Sequence, residues 1–260
     1  MLEAGENVNR ELSQNRDTHV ENFLVEICRN RKRKFGETLD AWEPRRHAST
    51  MHRGLGNLLY TAWDLFWIRM DCACSTLRSI TSLLVQGCPP GPDFRTTGRC
   101  SFKARRAGSI QIGSSVRFLA DWRSNRAGLA NPVLLQTFGE GVIRIGNSTG
   151  GSSVVISSRT SIQLGQQINL GANVRIFDHD FHALDPAMRR LPLDEQAPHI
   201  RSEPVELGDD VFVGANAIIL KGARLGARSI VAAGAVVFRG EYPEGSLLVG
   251  NPAMNRRGLK

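Results

Sequence analysis

The sequence predicts a mainly β protein: a parallel β-solenoid preceded by a helical segment. Three observations predict it. Aliphatic residues recur every six positions, glycine often follows them, and helical periodicity ends at a breaker cluster. Leu207, Val213, Ile219, Leu225, Val231 and Val237 lie six residues apart, and Leu164, Leu170 and Ile176 keep the same step. Four residues after several of these stand Ile168, Val174, Val211, Ala217, Ala223, Ser229 and Ala235, all small or aliphatic. Gly165, Gly171, Gly208, Gly214 and Gly226 directly follow the repeat position. A period of six matches neither the helix turn of about 3.6 residues nor the two-residue alternation of a strand. It suits a short flat side followed by a corner, and three such sides close a triangular coil of about 18 residues. Each aliphatic side chain then points inward and stacks on its counterpart one coil away. Strands of a β-sandwich are spaced more widely and less evenly than this.

The elements follow in order. Residues 1–50 are polar and mixed in charge, either a helix over 12–34 with Val20, Phe23, Leu24 and Ile27 on one side, or a disordered extension. Their basic run, Arg29, Arg31, Lys32, Arg33 and Lys34, reads as a solvated helix face. Residues 51–92 form a helical segment that ends at Gly87-Cys-Pro-Pro-Gly-Pro. Within it, 55–68 is too short to span a membrane and reads as an amphipathic helix packed on the main domain. Trp63, Phe66 and Trp67 make peripheral contact with a membrane surface the alternative reading. The solenoid occupies 93–245, and 246–260 form a C-terminal tail.

Composition bounds the function. Hydrophobic residues make up 41% of the 260 and aromatics only 7%, so the core must be aliphatic and small. The formal charge of +8 suits an anionic partner, whether a phosphorylated cofactor, a nucleotide-sugar, anionic lipid or nucleic acid, and composition alone does not choose among them. No nucleic acid partner enters the reading that follows. The five cysteines, Cys28, Cys72, Cys74, Cys88 and Cys100, form no CxxC pair and are odd in number. That argues against a zinc ribbon and a disulfide framework and for reduced thiols in the cytoplasm. The first residues contain no apolar signal-peptide region. A cytoplasmic protein is therefore expected, peripheral to the inner face of the membrane if 55–68 does touch lipid.

The repeat breaks between Ile176 and Leu207, a gap of 31 that slips the phase by one. A segment that leaves a solenoid without filling its six-residue steps must protrude, so 177–204 is a loop. It carries His179, His182 and His199 with Asp178, Asp180, Asp185 and Asp194. Loops mounted on rigid scaffolds often hold the chemistry. Histidine titrates near neutrality and can take a proton from an attacking group.

The tracts Leu207-Gly-Asp-Asp-Val-Phe-Val-Gly-Ala-Asn-Ala, Leu225-Gly-Ala-Arg-Ser-Ile-Val-Ala-Ala-Gly-Ala-Val-Val and Gly250-Asn-Pro-Ala resemble those of hexapeptide-repeat acyltransferases. Asn131-Pro-Val-Leu-Leu-Gln-Thr and Asp178-His-Asp-Phe-His-Ala-Leu-Asp-Pro are similar to the maltose/galactoside and colanic-acid or capsule O-acetyltransferases. The resemblance covers about 95–255. It implies a left-handed coil, a homotrimer with active sites between subunits, acetyl-CoA as donor, no metal, and a sugar hydroxyl as acceptor in polysaccharide or glycoconjugate synthesis. It makes His179 the general base. A carboxylate or backbone carbonyl should hold its other ring nitrogen, with Asp185 and Asp180 both candidates. It assigns Ala215 and Ala233 to the pantetheine groove and Arg239 and Arg257 to the phosphates of the cofactor. Ser153 and Asp178 fall to the acceptor, Ser153 standing near the sugar-site Asn of the galactoside-type enzymes. Phe212 replaces a common Trp, and Met254 a common Arg.

Three rivals stand beside this reading. A γ-class carbonic anhydrase needs three histidines from adjacent coils around zinc, and 207–240 contains none. N-acetylation of an amino-sugar nucleotide shares donor and base. A non-catalytic trimeric hexapeptide-repeat protein would need neither His179 nor a small-residue groove.

Overall fold

The computed structural model describes residues 55–256. The expected helix over 12–34, the basic run at 29–34, Cys28 and Arg257 lie outside the described residues. The chain divides into two units, Met1–Asp64 and Leu65–Lys260, and helix α1 covers Leu55–Val85.

The second unit is a three-sided prism. Its strands are short because each side must turn at a corner after a few residues. The first coil is β1 (Arg95–Gly98), β2 (Cys100–Lys103) and β3 (Ile110–Ile112). The second is β4 (Arg117–Ala120), β5 (Val133–Thr137) and β6 (Val142–Ile145). The third is β7 (Gly150–Ser152), β8 (Val155–Ser158) and β9 (Ser161–Leu164). Next come β10 (Asn169–Leu170), β11 (Arg175–Phe177) and, after a long excursion, β12 (Val205–Leu207). Two further coils are β13 (Phe212–Val213), β14 (Ile218–Ile219), β15 (Ala223–Leu225), and β16 (Ile230–Val231), β17 (Val236–Val237), β18 (Gly240–Tyr242). Every third strand joins one sheet. The first sheet runs β1-β4-β7-β10-β13-β16, the second β2-β5-β8-β11-β14-β17 and the third β3-β6-β9-β12-β15-β18, all pairing in parallel. Partners in the last coils, such as Glu206 with Arg224, Phe212 with Ile230 and Ile218 with Val236, are 18 residues apart. Three sides of six residues account for that step.

All nine residues of the six-residue pattern are at most 4% exposed. So are Ile168, Val174, Val211, Ala217, Ala223, Ser229 and Ala235. Each side therefore sends two residues inward, and their burial removes apolar surface from water along the whole axis. The first end is filled by aromatics, with Phe94 edge-on to Phe102 at 6.1 Å and to Phe118 at 6.4 Å.

The corners divide two tasks that the sequence joined in glycine. Between the third and first sheets, the left-handed φ falls on polar residues, among them Ser148 (56°), Asp210 (57°) and Arg228 (57°). The glycines two residues earlier serve close stacking instead. A Cβ on Gly208 would lie 2.6 Å from the amide nitrogen of Ala227 in the next coil. Gly146 is in the same position against Gly165.

Both ends of the stack are closed. The expected tail from 246 begins with β19 (Leu247–Val249), which pairs in parallel with β16, and β20 (Met254–Asn255) folds back antiparallel on it. At the other end, side chains of α1 bond the free edge of the first coil. Thr76 Oγ1 accepts from Thr96 N (2.9 Å), Asp71 accepts from Gly98 N (2.9 Å) and Gln86 accepts from Ala104 N (2.7 Å). These contacts occupy donors that an open sheet edge would leave unpaired. Cys72, Cys74, Cys88 and Cys100 are free thiols. Burial pushes the Cys100 thiol up to about 12, so it stays protonated and unreactive. Among the described residues no helix is long and apolar enough to cross a membrane.

Two segments leave the prism: 121–132 between β4 and β5, and 178–204 between β11 and β12. The second carries two short helices, α2 (Pro186–Arg189) and α3 (Leu193–Gln196). The first was not legible as an excursion, since no six-residue run flanks it closely. It docks at the corner between the first and second sheets, where Asn173 bonds Gly128 O (2.9 Å) and Ala130 N (2.9 Å).

If the inward column holds the prism together, Ile219→Ala should cost about 2–5 kcal/mol. Gln163→Ala, on the exposed outer face of β9, should change stability by no more than about 0.5 kcal/mol. Urea unfolding followed by circular dichroism checks both.

Candidate active site

The long loop begins where β11 reaches the corner between the second and third sheets. Its two ends are zipped together. His179 forms an antiparallel bridge with Ser202, Asp180 N donates to Arg201 O (2.9 Å), and Glu203 N donates to Asp178 O (2.8 Å). Two ion pairs tie this base to the following coils, Asp180 to Lys221 (2.5 Å) and Glu203 to Arg239 (3.2 Å).

Asp178 is fully buried. Its carboxylate accepts from Ser158 Oγ (2.7 Å), Arg159 N (2.8 Å) and Thr160 N (2.8 Å), the turn of the preceding coil. The remaining partner is His179 Nδ1, 2.9 Å away. Burial pushes this carboxyl up, but the bonds from His179, the Arg159 amide, Ser158 and the Thr160 amide outweigh it. The group is held below its ordinary range. An ionised carboxylate only accepts. His179 Nδ1 therefore carries a hydrogen, and the tautomer this selects has its lone pair on Nε2.

Aromatic rings fix the imidazole further. Phe138 lies edge-on at 5.7 Å, Phe181 is tilted at 4.6 Å, and Phe181 in turn packs on Phe177. The His179 side chain is only 2% exposed. It opens on a cavity of about 340 Å3 lined by Phe138, Arg159, Phe181, His182, Leu193, Asp194 and Ile200 as well. The arrangement is an oriented base beside a small, largely apolar chamber. Such a base can accept a proton from a hydroxyl or amine held there.

The other expected site residues fall in several places. Asp185 is the N-cap of α2, accepting from Ala187 N (2.7 Å), and Asp180 is engaged with Lys221. Neither touches the histidine ring; Asp178, expected at the acceptor, holds Nδ1 instead. The reason is geometric: Asp178 directly follows β11 and turns into the corner against Ser158, Arg159 and Thr160 of the preceding coil. Ala215 and Ala233 lie at the corner between the first and second sheets, beneath or beside Gly171 and Gly214. They line no part of the cavity. Arg239 follows β17 on the same corner of the prism as His179 and is paired with Glu203. Ser153 is wholly buried, with φ of 50° and a hydroxyl that has no partner. His182 braces the loop through Gln196 (3.4 Å). Phe138, Arg159 and Phe181 were missed. Phe181 is two residues from His179 and within reach of inspection, but Phe138 and Arg159 arrive from other coils. Among the described residues no cluster of His, Cys, Asp or Glu could hold a metal ion.

Because the folded Asp178 carboxyl titrates below the unfolded value of about 3.9, its contribution to stability is complete above that value. It is lost as pH falls through the folded value. Asp178→Asn should be less stable than the wild type near neutrality, and the gap should narrow on acidification toward about pH 3. A gap that stays constant across the acid range in urea titrations would contradict an ionised Asp178.

Comparison with known proteins agrees with this architecture. A family model described as the hexapeptide repeat of succinyl-transferase matches residues 204–239. A 2,3,4,5-tetrahydropyridine-2,6-dicarboxylate N-acetyltransferase of Staphylococcus aureus (strain JH9) is 50% identical over 52 residues, 20% of this chain. The chain spans about a fifth (21%) of the length of that curated relative. A mutant of AntD, an N-acyltransferase from Bacillus cereus solved with dTDP-4-amino-4,6-dideoxyglucose and coenzyme A, aligns with a TM-score of 0.50 and 18% identity. The alignment covers 67% of this chain and 86% of that one. A hexapeptide-repeat acetyltransferase from Vibrio cholerae is 35% identical with a TM-score of 0.39, covering 45% of this chain and 63% of its own. With its six-residue period, three parallel sheets and matching repeat, the chain is a left-handed β-helix of the hexapeptide-repeat type, similar to the acetyltransferases built on that fold.

Proposed function

We propose that the protein transfers an acetyl group from acetyl-CoA to a sugar hydroxyl, in the making of a polysaccharide or glycoconjugate. The observation that carries this reading is the Asp178–His179 pair, with Nδ1 bound to a buried carboxylate and Nε2 left as the basic nitrogen. The acceptor hydroxyl gives its proton to Nε2 while its oxygen attacks the thioester carbonyl carbon. The tetrahedral intermediate collapses by breaking the carbon–sulfur bond, and the proton on Nε2 passes to the departing thiolate. Asp178 offsets the positive charge on the ring between the two transfers. The donor is supported by the 50% identity to an N-acetyltransferase over part of the repeat.

This reading includes a homotrimer. Ala215 and Ala233 follow sheet-one strands, whereas His179 follows a sheet-two strand. The cofactor groove and the base thus stand on different corners of one chain, and a neighbouring prism would bring the two kinds of corner together. The outer face of the first sheet supplies an apolar surface for that contact. Phe212, Ile230 and Leu247 are stacked in register and are 45%, 44% and 38% exposed. A second reading, transfer to an amine, is favoured by one observation: the relative sharing the repeat is an N-acetyltransferase. The same base serves both acceptors.

Release of coenzyme A thiol, trapped as a coloured adduct across a panel of sugars, amino sugars and nucleotide sugars, tests the proposal. His179→Ala should lower acceptor-dependent release about 10²–10⁴-fold. Asp178→Asn should lower the maximal rate with little change in acceptor KM. Undiminished release in His179→Ala would remove the histidine as base. Activity confined to amino sugars would replace the hydroxyl acceptor by an amine.

A further inference from the structure

We infer that helix α1 docks the prism on an anionic lipid surface, through the face it turns away from the first coil. A helix on a protein surface ordinarily buries its apolar stripe and exposes its polar one. From Leu65 onward α1 does much of the reverse. Its inner side carries Asp71, Ser75, Thr76, Ser79 and Gln86, all bonded to the edge of the first coil. Its outer side carries Phe66, Met70, Ala73, Leu77 and Leu84, at steps of four, three, four and seven residues. Phe66, Met70, Leu77 and Leu84 are 52%, 45%, 68% and 55% exposed, and Leu65 and Trp67 flank them at 44% each.

Burial alone would not say what covers this face; the charge beside it does. Across 65–112, from the helix through the first coil, seven Arg and Lys face two Asp. Across 113–256, fourteen face thirteen acidic residues. The excess positive charge of the described unit is thus gathered at the end that α1 caps. Arg69, Arg78, Arg95, Arg99 and Lys103 are all exposed there. Phe, Trp and Leu on a helix face with cations around it match a bilayer interface with anionic headgroups. A second copy of this end would set like charge against like. The placement also has a chemical use, since an acceptor sugar carried on a membrane lipid would be met at the surface. That use rests on the proposed sugar transfer; the docking itself does not.

The test is co-sedimentation of the full chain with vesicles of phosphatidylcholine alone, and of equal parts phosphatidylcholine and phosphatidylglycerol. The wild type should partition onto the mixed vesicles, less so at high salt, and weakly onto the neutral ones. Joint substitution Phe66→Ser, Met70→Ser and Leu77→Ser should lower partition at least about tenfold. Joint substitution Arg69→Ser, Arg99→Ser and Lys103→Ser should lower it by about a hundredfold on the mixed vesicles. Thermal unfolding and coenzyme A release should be unchanged in both, because these side chains lie outside the core and the cavity. Three results would overturn the proposal. One is no partition of the wild type. Another is partition that both variants retain, which would put lipid binding elsewhere in the chain. The last is a smaller sedimenting species for the apolar variant with vesicle binding intact, which would make the face a contact between copies.

Discussion

The buried carboxylate of Asp178 joins scaffold to chemistry. It accepts three hydrogen bonds from the turn Ser158–Thr160, one coil back, and a fourth from His179. A carboxylate so enclosed is stable only because every lone pair is used. The same bonds that keep it ionised decide which nitrogen of His179 holds the hydrogen. The position of the base, its tautomer and the exit point of the loop thus depend on one side chain. Phe138 and Phe181 then hold the ring laterally, and the ion pairs of Asp180 and Glu203 fix the loop base to the coils beyond.

Beneath this lies the repeat. Coils of 21 and 20 residues place the residues after β5, β8 and β11 above one another on one corner. Phe138, Arg159 and His179 therefore meet although 41 residues separate the first from the last. A stack of parallel strands is open at both ends, and each end has been closed differently. At the finish an antiparallel strand turns back. At the start a helix offers side-chain acceptors to the backbone of the first coil. That choice commits the polar side of α1 inward and leaves apolar residues facing out, so the closing of one edge creates the surface proposed to meet lipid.

Much of this was legible in the sequence. The step of six among Leu, Ile and Val predicted the triangular coil, because a period that suits neither helix nor strand leaves few structures that bury it. The slip of phase between Ile176 and Leu207 marked the loop. The loop's three histidines marked it as a place for proton transfer, and the resemblance to the hexapeptide-repeat acyltransferases picked out His179 among them. The glycines were legible as corners, but not which constraint each met. Their φ is ordinary at Gly208 and Gly146, and it is the approach of the next coil that excludes a side chain.

What the sequence by itself determined is everything set by local repetition: the coil, its inward column, the end of the helical segment and the point where the loop departs. Those features depend on residues a few positions apart. What only the tertiary structure decided are the contacts made between coils. Asp185 and Asp180 were the expected partners of His179 and Asp178 was expected at the acceptor, but only Asp178 lies under the preceding turn and against the ring. Ser153 was expected at the acceptor and is enclosed. The excursion 121–132 announced itself by no pattern, since its partner Asn173 stands in a later coil. Sequence spacing records which way a side chain points along one strand; the neighbour it meets is set by how far the chain travels before it returns.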